Sequence, residues 1–214
     1  MPNAFAKRAS PSSHDLRELI LDVATELFVR RGFADVSFGD ISERTGTTRA
    51  NIHHHFSNKQ GLALAALDRS AADVCQRYEA ILLDSTASLA DKLMQCLAYN
   101  RERYQVFNPD GDTGQPWSLI TRLRLDAALL DSQCHAVLRS VSNRIDSAIG
   151  AAIGIAIARG DLFAGAPVAD IQCQLVTLLR FNQFVVTDTG RFEGLERLYN
   201  AVSGTILRAY GQPV

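Results

Sequence analysis

The sequence is poor in the features that would mark it as secreted, membrane-spanning or catalytic. Its four cysteines, Cys75, Cys96, Cys134 and Cys173, stand far apart with no CxxC pair, so neither a disulfide framework nor a zinc site is indicated. No apolar run of the roughly 18–20 residues that a bilayer demands is free of charge, which speaks against a membrane partner. The opening MPNAFAKRASPSS lacks the apolar stretch of a signal peptide, and a cytoplasmic location is expected. Ser-His-Asp, paired-acid and metal-ligand patterns and a Gly-rich phosphate loop are all missing, so no enzyme, cofactor or metal is expected. Alternating strand patterns are lacking as well. Charge of one sign is not in surplus either. The formal net charge is -1, so any surface for nucleic acid has to be a local one.

What is present is helical periodicity. Hydrophobic residues make up 47% of the 214 positions, ample for a core. From His14 to Arg31, Leu16, Leu19, Ile20, Val23, Ala24, Leu27 and Phe28 recur at i, i+3, i+4. Similar stripes predict helices over 58–83, 88–107, 117–130, 133–159, 168–187 and 191–210, with the loop NPDGDTGQP at 108–116. The fold class is all-α. The 58–83 helix has no proline and no glycine after Gly61, so it reads as a stiff lever between two parts of the chain.

The most informative stretch is FGDISERTGTTRANIHHHF, from Phe38 to Phe56. Ser37 and Asp40 stand three apart as a capping box, Gly46 supplies a left-handed helix exit, and Thr48 caps a second short helix over 49–56. At about 100° per residue, Ile52 and Phe56 share an inward face. Ala50, Asn51 and His54 then point outward, with Arg49, His53 and His55 on the flanks. Arginine can pair bidentately with guanine, asparagine with adenine, and a small apolar group can meet a thymine methyl. Ser57 and Gln60 read as another capping box, and the helix N-terminus beside Lys59 reads as a phosphate site. Arg44 to Leu67 holds three basic residues, three histidines and no acid. The adjacent histidines fan around the helix axis, so they do not converge on one metal ion.

The run LFVRRGF followed by VSFGDISERTGTTRANIHHHFSNKQGL resembles the DNA-binding domain of TetR-family transcriptional regulators. The resemblance covers about residues 14–68 and rests on Gly32-Phe33, Asp40-Ile41, Gly46, His55-Phe56 and Lys59. Residues 1–13 read as a flexible arm in which Lys7 and Arg8 either add phosphate or minor-groove contacts or form a solvated tail, and the resemblance implies a three-helix helix-turn-helix domain at 14–58 and a larger helical ligand-binding and dimerisation domain at 59–214. By position, Ser37, Thr47, Thr48, Arg49, Ala50, Asn51, His53, His54, His55 and Lys59 would meet a double-stranded DNA operator. Family members commonly carry tyrosine where His53 and His54 stand. Histidine gains charge on acidification, so operator binding is expected to strengthen as pH falls.

The resemblance also implies a homodimer and a small-molecule inducer. Polar or aromatic candidates for an inducer pocket are Tyr78, Cys96, Asn100, Arg103, Tyr104, Trp117, Arg122 and Phe181. Among them Trp117 occupies a lid position after a loop, and Arg103 or Arg122 could neutralise an anion. The last two helices are apolar on more than one side and so call for a second partner. Val176, Phe184, Val185, Leu195, Leu198, Tyr199, Val202 and Ile206 are the expected interface residues. The expected function is a ligand-responsive repressor on a pseudo-palindromic operator. The alternatives are a redox or electrophile sensor using Cys96 or Cys134, and an all-α ligand-binding protein or enzyme without DNA.

Overall fold

A computed structural model describes residues 13–212; the expected contacts of Lys7 and Arg8 lie outside the described residues. In chain order the helices are α1 (Ser13–Arg31), α2 (Phe38–Thr45), α3 (Arg49–Phe56), α4 (Lys59–Leu82), α5 (Leu89–Phe107), α6 (Leu119–Leu125), α7 (Ser132–Arg159), α8 (Val168–Thr189) and α9 (Glu193–Tyr210), with a 3-10 turn at Ala127–Leu129. No strand occurs among the described residues.

Two local expectations are corrected. Ser57 does not cap α4. It has φ 60 and closes α3, a left-handed backbone incompatible with the extended conformation of an N-cap. Asn58 is the cap instead, its side-chain oxygen accepting from Gly61 N at 2.9 Å. The helix expected over 117–130 is broken. Ser118 caps the seven-residue α6 through Thr121 N at 3.2 Å, and Asp126 ends it while its carboxylate accepts from Phe33 N at 2.7 Å.

The first three helices enclose Ile20, Leu27, Phe28, Ile41, Ile52 and Phe56. The lever helix α4 serves two neighbourhoods. Its N-terminal half adds Leu62, Ala63, Ala66 and Leu67 to the core of α1–α3, and its C-terminal half adds Cys75, Tyr78, Ile81 and Leu82 to that of α5–α9. Each large apolar side chain so buried stabilises by about 1.5–3 kcal/mol. With several at each end, α4 cannot move independently of either neighbourhood. The start of α4 comes so close to α3 that a Cβ on Gly61 would lie 2.4 Å from the Phe56 carbonyl oxygen, which requires glycine there. By length and composition α7 could cross a membrane. Here it is a core helix, placing Leu138, Val141, Ile145, Ile149 and Ile153 between α4 and α8.

Candidate functional site

The site starts at the corner between α1 and α2. Ser37 and Asp40 form the expected capping box: Ser37 N donates to Asp40 Oδ2 at 2.9 Å, and Asp40 N donates to Ser37 Oγ at 3.3 Å. The hydroxyl of Ser37, then its backbone N–H, hold the Asp40 carboxyl down at about 2, with the Arg31 guanidinium contributing from 2.9 Å. This corner fixes the angle at which α2 leaves α1 and so where α3 sits.

On α3 the Thr48 hydroxyl accepts from Asn51 N at 3.2 Å, and only Ile52 and Phe56 are buried. Ser37, Thr48, Arg49, Ala50, Asn51, His53 and His54 are exposed, while Thr47, His55 and Lys59 are half-buried. Several outward side chains are held. Asn51 Nδ2 donates to Thr47 Oγ1 at 3.2 Å. The His53 ring stands edge-on to Phe38, with centroids 6.5 Å apart, and His54 meets His55 at 5.6 Å. The Arg49 guanidinium lies over Gly39 of α2, where an added Cβ would come within 2.7 Å of it. Lys59 is partly committed elsewhere. Its ammonium donates to Phe33 O at 2.9 Å and Ala34 O at 3.2 Å and sits 4.5 Å above the Phe33 ring. A lysine has three donors, so one is left for an anion. Arg44 is paired with Glu26 at 2.6 Å. Among the described residues near α3, Arg49 and Lys59 are thus the cations with no carboxylate partner, and Arg49 is the more exposed of the two.

Arg122 does not face a pocket. It clamps the C-terminal part to α1: Nη2 donates to Arg31 O at 2.8 Å, and Nε lies 3.8 Å from Asp126, the carboxylate that holds Phe33 N. Gln60 makes a second tie at the start of α4, donating to Leu129 O at 2.7 Å and accepting from Asp131 N at 3.3 Å.

Between α4, α5, α6, α7 and α8 lies a cavity of about 40 Å³. Of the expected ligand residues, Tyr78, Asn100, Arg103 and Trp117 line it. Asn100 is its hub. Its Nδ2 donates to Tyr78 OH at 2.9 Å and Cys96 O at 2.8 Å, while its Oδ1 accepts from Asn182 at 3.0 Å and the Trp117 indole at 3.4 Å. Trp117 is wall rather than lid. It is 1% exposed, and its backbone N–H donates to Gln183 Oε1 at 3.1 Å. Tyr104 belongs to an aromatic cluster with Trp117 and Phe192, at 5.3 and 5.1 Å, outside the lining. Phe181 is 53% exposed on the far side of α8, because its neighbour Asn182 takes the inward position. Cys96 is buried behind Asn100, and burial pushes its thiol up to about 12. Burial, with the Asp131 carboxylate nearby, does the same to Cys134. Neither is poised as a thiolate, which weighs against the thiol-sensor alternative.

The expected interface also divides. Leu195, Tyr199 and Ile206 are almost wholly buried within the chain and cannot face a partner; this inward stripe of α9 covers α5 and α8. Val176, Phe184, Val185, Leu198 and Val202 are only half-buried. With Cys173, Thr177 and Phe181, most of them frame an open apolar groove of about 400 Å³ along α8 and α9.

Sequence reasoning missed Tyr99, Arg124, Arg180 and Asn182 in the cavity wall. One signal was available: Asn182-Gln183 interrupts the apolar run LVTLLRFNQFVV, and polar side chains inside such a run mark a buried polar site.

Comparison with known proteins agrees with this geometry. Residues 20–66 match the family described as bacterial regulatory proteins, tetR family. The HTH-type transcriptional regulator TtgR of Pseudomonas putida is 37% identical over 64 residues, covering 30% of this chain and 30% of TtgR. The match thus spans under a third of that relative's length. Over about nine tenths of the chain the fold is shared. The regulatory protein TetR from Rhodobacter sphaeroides superposes with a TM-score of 0.75 at 14% identity, over 91% of this chain and 98% of that one. A transcriptional regulator from Saccharomonospora viridis in complex with choline does so with a TM-score of 0.75 at 20% identity, over 94% and 100%. Residues 20–66 thus match the model of the tetR family of bacterial regulatory proteins, and the chain as described shares the fold of the solved regulators.

Proposed function

We propose that this chain is a cytoplasmic, ligand-responsive transcriptional repressor that binds a pseudo-palindromic operator as a dimer. The observation that carries the reading is α3: a short helix capped by Thr48, anchored only by Ile52 and Phe56, with Arg49, Ala50, Asn51, His53 and His54 exposed together. Residues 14–58 supply the DNA-reading part, and Lys59 and the α4 N-terminus the phosphate contact. Asn51 has to release Thr47 to give adenine both its amide groups. The half-exposed α8–α9 groove supports a second copy as its occupant, since two α3 helices about 34–36 Å apart read two half-sites. Cavity, α6 and the Arg122 clamp give an inducer a physical route to α1.

The test is a duplex selected from a random library, bound by wild type and by Arg49→Ala. Loss of about 1–3 kcal/mol at one base position is expected if Arg49 reads a base. Equal weakening on every sequence, with a smaller salt slope, would mean a phosphate contact instead. Failure of the wild type to enrich any duplex, or a monomer at micromolar concentration in sedimentation, would refute the reading.

A further inference from the structure

The C-terminal cavity is short of one negative charge. No acidic side chain lines it, but Arg103, Arg124 and Arg180 do. Two carboxylates stand beside these arginines: Asp73 lies 3.6 Å from Arg103, and Asp146 lies 2.6 Å from Arg180. Arg124 donates to a neutral group, Ser142 Oγ, at 3.0 Å. Three guanidinium groups against two carboxylates leave one positive charge in excess. Burial, and then the adjacent Arg180, press Arg124 toward its neutral form, with Asp146 opposing. A guanidinium does not give up its proton in a protein. The Nε of Arg180 is, in addition, a buried donor with no partner. The wall therefore lacks one anion and one acceptor at the same place. The remaining surface is aromatic and apolar: Tyr78 and Tyr99 meet edge-to-face at 5.7 Å, beside Trp117, Val141 and Leu179.

We infer that this cavity takes a small organic monocarboxylate, its carboxylate between Arg124 and Arg180 and its ring-sized apolar body against Tyr78, Tyr99 and Trp117. The inference rests on the regulator reading and names the class of effector. A carboxylate presents two oxygens to the guanidinium fork and accepts from the orphaned Nε. One negative charge balances the excess, whereas a dianion would reverse it. A quaternary ammonium would meet three cations and no free carboxylate. The cavity of about 40 Å³ has room for a few waters at roughly 10–15 Å³ each, so a ring enters only as the wall gives. The short α6 carries Arg124 and is the part of the wall that a ligand would displace.

The full chain is titrated with benzoate, salicylate, phenylacetate, benzamide and choline, by calorimetry and by fluorescence of Trp117, the single tryptophan. At least one of the three carboxylates is expected to bind and change the emission, benzamide to bind at least tenfold more weakly, and choline not to bind. Arg124→Gln is expected to lose at least tenfold in carboxylate affinity while its benzamide affinity is unchanged. Should that variant not fold, Arg180→Lys, which keeps the charge and removes the fork, is expected to lose carboxylate affinity in the same way. Equal binding of benzamide and benzoate, binding of choline, or no response to any carboxylate by a folded protein overturns the inference. Binding to the selected duplex is measured on the same samples. If it is intact while no carboxylate binds, this inference alone fails; if unliganded protein binds no duplex, the regulator reading fails.

Discussion

Asn100 is the side chain on which the C-terminal core most depends, and Asn100→Leu is the perturbation that tests it. The residue is 5% exposed, and its amide joins Tyr78 of α4, Trp117 ahead of α6 and Asn182 of α8 to its own helix, α5. Leucine fills the volume but removes the Asn100 hydrogen bond of three buried groups: the Tyr78 hydroxyl, the Trp117 indole N–H and the Asn182 amide. A buried polar group that loses such a bond costs about 1–3 kcal/mol. The 3.4 Å indole contact belongs at the low end of that range. The added apolar burial recovers about 1–2 kcal/mol. A net loss of about 1–6 kcal/mol follows, a large part of the roughly 5–15 kcal/mol that holds a domain together.

Urea unfolding at one fixed protein concentration, followed by Trp117 emission and far-ultraviolet circular dichroism, reads this loss directly. The concentration is fixed because association would add to apparent stability. Asn182→Ala is the control. It removes one donor from Asn100 and is expected to cost less, about 1–2 kcal/mol, and to be non-additive with Asn100→Leu by more than about 0.5 kcal/mol because both act on one network. Duplex affinity per folded molecule should not change, since Asn100 touches none of the α1–α3 side chains. An Asn100→Leu protein within about 0.5 kcal/mol of wild type would refute the hub.

Two glycines separate steric need from mere proximity. Gly61→Ala drives a Cβ into the Phe56 carbonyl and is expected to cost about 1–3 kcal/mol, as overpacking does, and to weaken duplex binding by shifting α3; melting curves and titrations check both. Gly39→Ala meets the end of the Arg49 side chain at 2.7 Å and, less closely, the Ser37 hydroxyl at 3.2 Å, with no backbone atom in the way. It should leave stability unchanged or raise it by up to about 1 kcal/mol while altering duplex affinity, and an unchanged affinity would show that the resting place of Arg49 is immaterial. Asp40 sets an acid limit. Its folded pKa lies below the ordinary 3.8, at about 2. The stability it contributes is therefore complete above pH 3.8 and lost as pH falls toward 2. Asp40→Asn should flatten that part of the acid-unfolding curve, and an unaltered curve would show that the capping box does not contribute.

The local grammar of α2 and α3 was legible because it is written within four residues at a time. Ser37 to Asp40, Gly46 and Thr48 act on their own backbone, and no distant contact is needed to interpret them. The same locality explains the error at Ser57. Ser57 and Asn58 are both good caps, and the choice fell to Asn58 because Ser57 was used to turn the chain out of α3. Beyond α4 the stripes located helices but not their facing. On α9 the apolar positions exceed one face, so sequence could not tell that Leu195, Tyr199 and Ile206 go inward while Leu198 and Val202 remain half-exposed. On α8 the usual rule is reversed, with Asn182 and Gln183 inside and Phe181 outside, because the interior has backbone N–H groups of 117 and 118 and the Asn100 carbonyl to satisfy.

The short helix α6 decides how strongly the two ends of the molecule can be coupled. Seven residues make a rod of roughly 10 Å at about 1.5 Å per residue, too short to bend. Its Thr121 and Arg124 line the cavity, while Arg122 and the following Asp126 hold Arg31 O and Phe33 N at the end of α1. A ligand can shift an equilibrium only by what it changes in such contacts. Two charge-assisted hydrogen bonds, each worth about 1.5–3 kcal/mol, cap the coupling at about 3–6 kcal/mol, and typical couplings of about 1–3 kcal/mol lie at or below that cap. Arg122→Ala removes one of the two and lies outside both the cavity lining and α3. It should leave the affinity for ligand and for duplex individually near wild type and cut the effect of each on the other by about half on the free-energy scale. The measurement is duplex titration with and without saturating ligand, and ligand titration with and without duplex, since linkage requires the same factor from both. An undiminished factor in Arg122→Ala would place the coupling in α4 alone, through the apolar contacts it makes at both ends.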